Sequence, residues 1–227
     1  MRRRISRAFG SGFAGVFRTI KAVRPGRPIH PEGVRLTGTL ERHGASSGAE
    51  WIDTAGTDPV TARLSRSLGL PGRCPDVLGL ALRFTNDGTP SDVLLASTGA
   101  SRAGRFALTL RRNAAAGVFS SLMPYKTASG PLLLAARTVS APGPLLAEPQ
   151  TFRSDLGQNA WVLGLYYARP TGHWVGFGTL TLGAGGAPDT SERFDPVLNT
   201  LPGTGTYDWA ARLREPSYTA ARQPARR

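Results

Sequence analysis

Cysteine is nearly absent from this chain of 227 residues: Cys74 stands alone, which excludes an internal disulfide framework and a thiolate-rich zinc site. Histidine is also scarce. The three histidines fall at 30, 43 and 173 with no His-x-His or His-Asp pair, which argues against a clustered two-metal hydrolytic centre. Of the 28 basic residues only Lys21 and Lys126 are lysines, so the net charge of +13 rests almost wholly on guanidinium groups. No stretch approaches the roughly 20 apolar residues that a membrane-spanning helix needs. The basic opening Met1-Arg-Arg-Arg leads into no secretory-type apolar core, and the cytoplasm is the simplest address. A Gly-x-Ser-x-Gly elbow and a phosphate-cradling Gly-x-x-x-x-Gly-Lys loop are both missing, which removes the commonest serine-hydrolase and nucleotide-binding signatures.

Fifteen acidic residues stand against those 28 bases, and a field of that sign favours anionic partners: nucleic acid, a membrane surface or a carboxylate-bearing cofactor. The N-terminal segment 1–26 concentrates part of the charge. Within it Ile5, Phe9, Phe13, Phe17 and Ile20 recur every three or four residues between arginines, which predicts a basic amphipathic helix over 1–22. Such a helix suits docking onto the domain or peripheral contact with a membrane. The length fits one domain, placed at 27–222, followed by a frayed tail at 223–227.

From Gly33 onward, short alternating runs separated by glycine, proline and serine clusters predict strands at 33–42, 78–85, 92–97, 105–111, 131–139, 150–155, 160–169 and 173–182. Val60, Leu64 and Leu68 at helical spacing predict a helix over 58–70, and 207–222 also reads as helical. The expected fold class is α+β: a closed antiparallel eight-stranded β-barrel with flanking helices.

Two segments carry candidate chemistry. Arg27-Pro-Ile-His30-Pro-Glu-Gly33 runs into the alternating Val34-Arg-Leu-Thr-Gly-Thr-Leu40, which sets His30 at the mouth of a strand. Arg214-Glu-Pro-Ser-Tyr218 puts a cation and a phenol one helical turn apart, with Pro216 tolerated if the helix begins near Glu215. Between them lie Val60-Thr-Ala-Arg63-Leu-Ser65, Pro75-Asp76-Val-Leu-Gly79-Leu-Ala81-Leu-Arg83-Phe84, and Gly88 followed by Asp92-Val93.

In their order and rough spacing these blocks resemble the haem-dependent catalase superfamily, and in particular its small catalase-related members, over about residues 27 to 222. The resemblance implies a catalase-like barrel binding b-type haem and decomposing or using hydrogen peroxide or an organic hydroperoxide. It makes His30 the distal base, with Ser65 orienting it, and Tyr218 the iron ligand. Arg27 and Arg63 would face the haem propionates. The chemistry fits those residue types. A neutral imidazole moves a proton near pH 7, a phenol becomes a phenolate there only beside a cation such as Arg214, and tyrosine is the axial ligand of catalase haem. A planar guanidinium matches a carboxylate.

The chain departs from the family after Asp92. Where the family carries a distal asparagine, Asp92-Val-Leu-Leu-Ala96-Ser97-Thr98-Gly99 offers no amide, which points to modest turnover. An aspartate usual just after the proximal tyrosine is likewise replaced by Thr219. Two other readings stand beside this one. A degenerate barrel without haem would serve as a ligand-binding module or carry a different hydrolytic activity. A basic surface protein would bind anionic lipid or nucleic acid, although no nucleic-acid reader motif is present, and none specific is expected. His43 and His173 have no ligand-spaced partners and read as structural.

Overall fold

The computed structural model describes residues 33–185 and 194–210. The expected helix over 1–22, the tail at 223–227 and the site candidates Arg27, His30, Arg214 and Tyr218 lie outside the described residues.

Among the described residues there are eleven strands: β1 (Gly33–Arg42), β2 (Gly56–Arg66), β3 (Asp76–Asn86), β4 (Thr89–Thr98), β5 (Leu110–Arg111), β6 (Val118–Ser120), β7 (Tyr125–Thr127), β8 (Gly130–Ser140), β9 (Trp161–Ala168), β10 (Val175–Ala184) and β11 (Gly205–Thr206). Two short α-helices, α1 (Glu50–Asp53) and α2 (Pro149–Leu156), and a 3-10 turn at Gly104–Phe106 interrupt them. Eight of the strands close on themselves in the order β1, β2, β3, β4, β6, β8, β9, β10 and back to β1, every neighbouring pair antiparallel. The closed eight-stranded antiparallel barrel expected from the sequence is the observed architecture.

The membership of the barrel differs from expectation at three places. The segment 58–70 is not a helix: Gly56–Arg66 is the strand β2, with Asp58, Val60, Ala62, Leu64 and Arg66 alternating into the interior. Val60 and Leu64 are four apart, a spacing that falls on one face of a strand as well as of a helix. The run 105–111 supplies only the 3-10 turn and the two residues of β5, and the wall position next to β4 is taken by the three-residue β6. The run 150–155 is helical. Glu148 accepts from the Gln150 and Thr151 N–H groups at 3.2 and 2.7 Å, Pro149 follows at the first helical position, and Gly157 ends the helix at φ 55°.

The lumen is filled. Leu36, Leu40, Leu64, Leu78, Leu80, Leu82, Phe84, Val93, Leu95, Phe119, Leu134, Leu163 and Leu180 pack inside it in one continuous core. The gap among Leu40, Leu82, Val93, Leu134 and Phe177 is only about 10 Å³, roughly the room of one water. Each mouth is sealed by a charged clasp on β2. At one, Asp58 accepts from Trp51 Nε1 at 3.1 Å and Arg42 Nε at 3.0 Å, while Trp51 stacks on Phe84 with ring centres 4.5 Å apart. At the other, buried Arg66 stands 3.7 Å from buried Asp76 and donates to the carbonyls of Leu70, Pro71, Gly72 and Cys74, tying down the loop between β2 and β3. Phe152 of α2 packs edge-on against Trp161 at 5.8 Å. Among the described residues no helix is long and apolar enough to cross a membrane.

Candidate functional site on the outer wall

Among the described residues the lumen is filled by side chains, which points to the outer wall as the place to meet a larger ligand. The register shows where the wall is flattest. Gly33 pairs with Ser65, Ser65 with Gly79, Gly79 with Ala96, and Ala96 with Ser120, so one row across five strands carries no side chain beyond a methyl or hydroxymethyl. Directly paired residues share a face, and the lumen is taken by their neighbours Val34, Leu64, Leu78 and Leu80, so the row lies on the outer face. Gly33, Ser65, Gly79 and Ser120 are nonetheless buried.

Two of the sequence candidates fall on this wall. Ser65 is 7% exposed, and its hydroxyl donates to the Gly79 carbonyl at 3.4 Å along the row. Arg63, one step away on the same face and directly opposite Arg35, lays its guanidinium over Gly33. A Cβ on Gly33 would stand 2.7 Å from both the Arg63 Cζ and the Leu64 carbonyl oxygen, so this approach needs glycine. β1 and β2 thus bring Arg63, Ser65 and Gly33 together. The other candidates lie beyond the described residues.

A side of the site that sequence reasoning missed is built by the segment 194–210, which crosses the outer wall. Asp92, fully buried, holds it there. Arg83 Nε and Nη2 donate to the two Asp92 carboxylate oxygens at 2.7 Å each, and Oδ2 also accepts from the Asp195 N–H and the Asn199 side-chain amide at 2.7 Å. Ser91 adds a bond to the Thr200 carbonyl. The segment ends in a second apolar cluster, where Ala210, Tyr207 and Trp209 pack with Leu122, Met123, Phe106, Leu108 and Ala96 of the row. Burial raises the Tyr207 phenol above its ordinary range, against the opposing charge of Arg169. Ala96 is the link between floor and cluster. Only the strand register reveals that, because nothing in the spacing of Gly33, Ser65, Gly79 and Ala96 marks them as neighbours.

The two hydroxyls that follow Ala96 are already engaged. Ser97 donates to the Thr109 carbonyl at 2.6 Å and accepts from the Leu78 N–H at 3.0 Å. Thr98 donates to Ser120 at 3.1 Å, which donates to the Arg105 carbonyl at 3.0 Å. His43 and His173 are exposed, and His43 extends the β1–β10 ladder through its backbone N–H to Phe177. Cys74 is an exposed free thiol. Among the described residues no group of three or more His, Cys, Asp or Glu side chains could hold a metal ion.

As a fit for haem, the wall offers a flat, buried floor, a guanidinium beside it and an aromatic flank at Tyr207 and Trp209. Those features suit a planar, apolar ring with anionic edges; the residues that would ligate its iron belong to the part of the chain outside the description. No protein-family model matches the sequence, and no curated relative matches it. Among solved structures the chain is similar to catalase A from Saccharomyces cerevisiae, with a TM-score of 0.65 at 14% identity over 87% of this chain. The match spans 60% of that catalase's length. A likeness at that identity is one of fold, and the fold is a catalase-like β-barrel.

Proposed function

We propose that this protein binds haem against the outer wall of its barrel, over the row Gly33, Ser65, Gly79 and Ala96, and decomposes or uses hydrogen peroxide or an organic hydroperoxide there. The observation that supports the reading is that the described residues nearest the two motifs, Gly33 and Ala210, lie on one wall. Gly33 follows His30 by three residues and lies on the row; Ala210 precedes Tyr218 by eight and packs in the cluster that contains Ala96. Gly33 and Ala96 are three strand steps apart, about 14 Å.

Haem, when bound, supplies the redox centre at which a peroxide O–O bond is cleaved. The protein's part is positioning and proton handling. His30 would take the proton from the near peroxide oxygen and return it to the far one, as a neutral imidazole does best near pH 7. Ser65, whose hydroxyl donates to the Gly79 carbonyl, would accept the hydrogen bond that orients His30. Tyr218 would hold the iron as a phenolate, which Arg214 favours by charge. Arg63 and Arg27 would meet the propionates as planar guanidinium partners. With a methyl at Ala96 and the Ser97 and Thr98 hydroxyls already engaged, no side chain of that strand end substitutes for a distal amide, so turnover is expected to be modest.

Substitution tests both halves. Tyr218→Phe should abolish the tyrosinate charge-transfer band of the haem-loaded protein, and an unchanged spectrum would remove Tyr218 as ligand. His30→Ala should retain haem and lose peroxide turnover; retained turnover would remove the distal role.

A further inference from the structure

Away from the row's Gly33 end, one charged side chain is buried without a counter-ion. Arg105, in the 3-10 turn after β4, is 1% exposed. Its Nη1 donates to the Arg169 carbonyl at 3.1 Å and its Cζ lies 4.3 Å above the Trp174 ring, but its Nε has no partner. The other buried guanidinium, Arg66, has Asp76, and the half-buried Arg42 and Arg83 have Asp58 and Asp92. No carboxylate of the described residues pairs with Arg105. The charged group that acts on it is a second cation, Arg102, three residues before it, whose Nη2 contacts His173 Nε2. Burial first, and Arg102 second, press the Arg105 pKa downward. The Arg169 guanidinium does not help, because it is turned to the carbonyls of Ser47, Gly130 and Pro131.

A buried guanidinium with an idle N–H and a like charge beside it is an unfavourable arrangement in an empty protein and a favourable one around an anion. The rim has the means to admit one, since Arg102 and His173 are exposed and Trp174 is half-buried, held by a 3.4 Å bond to the Ala100 carbonyl. We propose that the loop after β4 and the β9–β10 turn form a binding site for a small oxyanion, with the Arg105 Nε–H at its floor and Arg102 and His173 at its mouth. The ligand class is a carboxylate or phosphate group, which the guanidinium fork fits in two-point geometry.

Trp174 provides the reporter. Inorganic phosphate titrated into the purified protein at constant ionic strength, with acetate and sodium chloride in parallel, should give a saturable tryptophan fluorescence change for an oxyanion and none for chloride. Trp174→Phe should remove the signal while calorimetry still detects binding. Arg105→Gln and Arg102→Ala should each weaken binding by roughly tenfold or more, the loss expected for one charge-assisted hydrogen bond. Should Arg105→Gln fail to fold, Arg102→Ala and His173→Ala change exposed residues and carry the test. No oxyanion response above chloride, or affinity unchanged in Arg102→Ala and His173→Ala, would overturn the proposal. A response to phosphate but not acetate would support it and restrict the ligand to phosphate groups.

Discussion

Replacing Asp92 by alanine should detach the segment 194–210 from the barrel. The carboxylate accepts four hydrogen bonds, two from Arg83 and one each from Asp195 and Asn199, and it is fully buried. Removing one partner of a buried ion pair costs about 3–5 kcal/mol. Here the Arg83 side chain is 23% exposed and can rehydrate, which favours the lower end, about 3 kcal/mol. For a domain of this size each kcal/mol shifts Tm by about 2–4 °C, so the midpoint should fall by about 6–12 °C. Asn199→Ala removes a single bond to the same oxygen and should cost about 1.5 kcal/mol. Added to Asp92→Ala it should cost almost nothing more, because the two act through one contact. Scanning calorimetry and urea titration measure both. The segment ends at Tyr207 and Trp209, so Asp92→Ala should also alter tryptophan emission below the transition. A loss under about 1 kcal/mol, or full additivity with Asn199→Ala, would refute Asp92 as the anchor.

Other outcomes follow from the same geometry. Gly33→Ala forces a Cβ to within 2.7 Å of the Leu64 carbonyl and the Arg63 guanidinium; it should cost about 1–3 kcal/mol as an overpacked site and weaken hemin binding, and a neutral effect on both would remove Gly33 from the site. Glu148→Gln probes the cap of α2. The Thr151 hydroxyl first, then the Thr151 N–H, hold the Glu148 carboxyl below its usual 4.5 in the folded protein, so its contribution is present above that pH and fades as pH falls below it. The wild type should exceed Glu148→Gln by about 1 kcal/mol at pH 7, with the gap closing on acidification; a gap constant with pH would contradict the cap. Arg66→Met leaves buried Asp76 without its cation, held only by the Leu68 and Leu70 N–H groups, and should cost about 3 kcal/mol or more, measured by urea titration; little loss would mean that Asp76 and the backbone hold the β2–β3 loop without Arg66.

How much of this was legible in the sequence depended on the kind of signal each element gave. β1, β3, β4, β8, β9 and β10 are eight residues or longer and rich in apolar residues bounded by turn signals, and were readable. β2 was not, because Val60 and Leu64 satisfy both periods and only pairing with β1 and β3 decides between them. Glu148-Pro149 and Gly157 are start and stop signals that mark α2. β6 has three residues, too few to show a period. At the candidate site, Arg63 and Ser65 were singled out by resemblance and do share a wall. The floor they border was invisible, since a row perpendicular to the strands samples Gly33, Ser65, Gly79, Ala96 and Ser120, residues with no mutual spacing in the chain.

The central claim is that this wall holds haem, and a hemin titration of the full-length apo-protein, followed by absorbance, tests it most directly. The account predicts saturable one-to-one binding, a Soret band with tyrosinate charge-transfer features, and loss of those features in Tyr218→Phe. A protein that stays folded and shows no saturable hemin binding would contradict it.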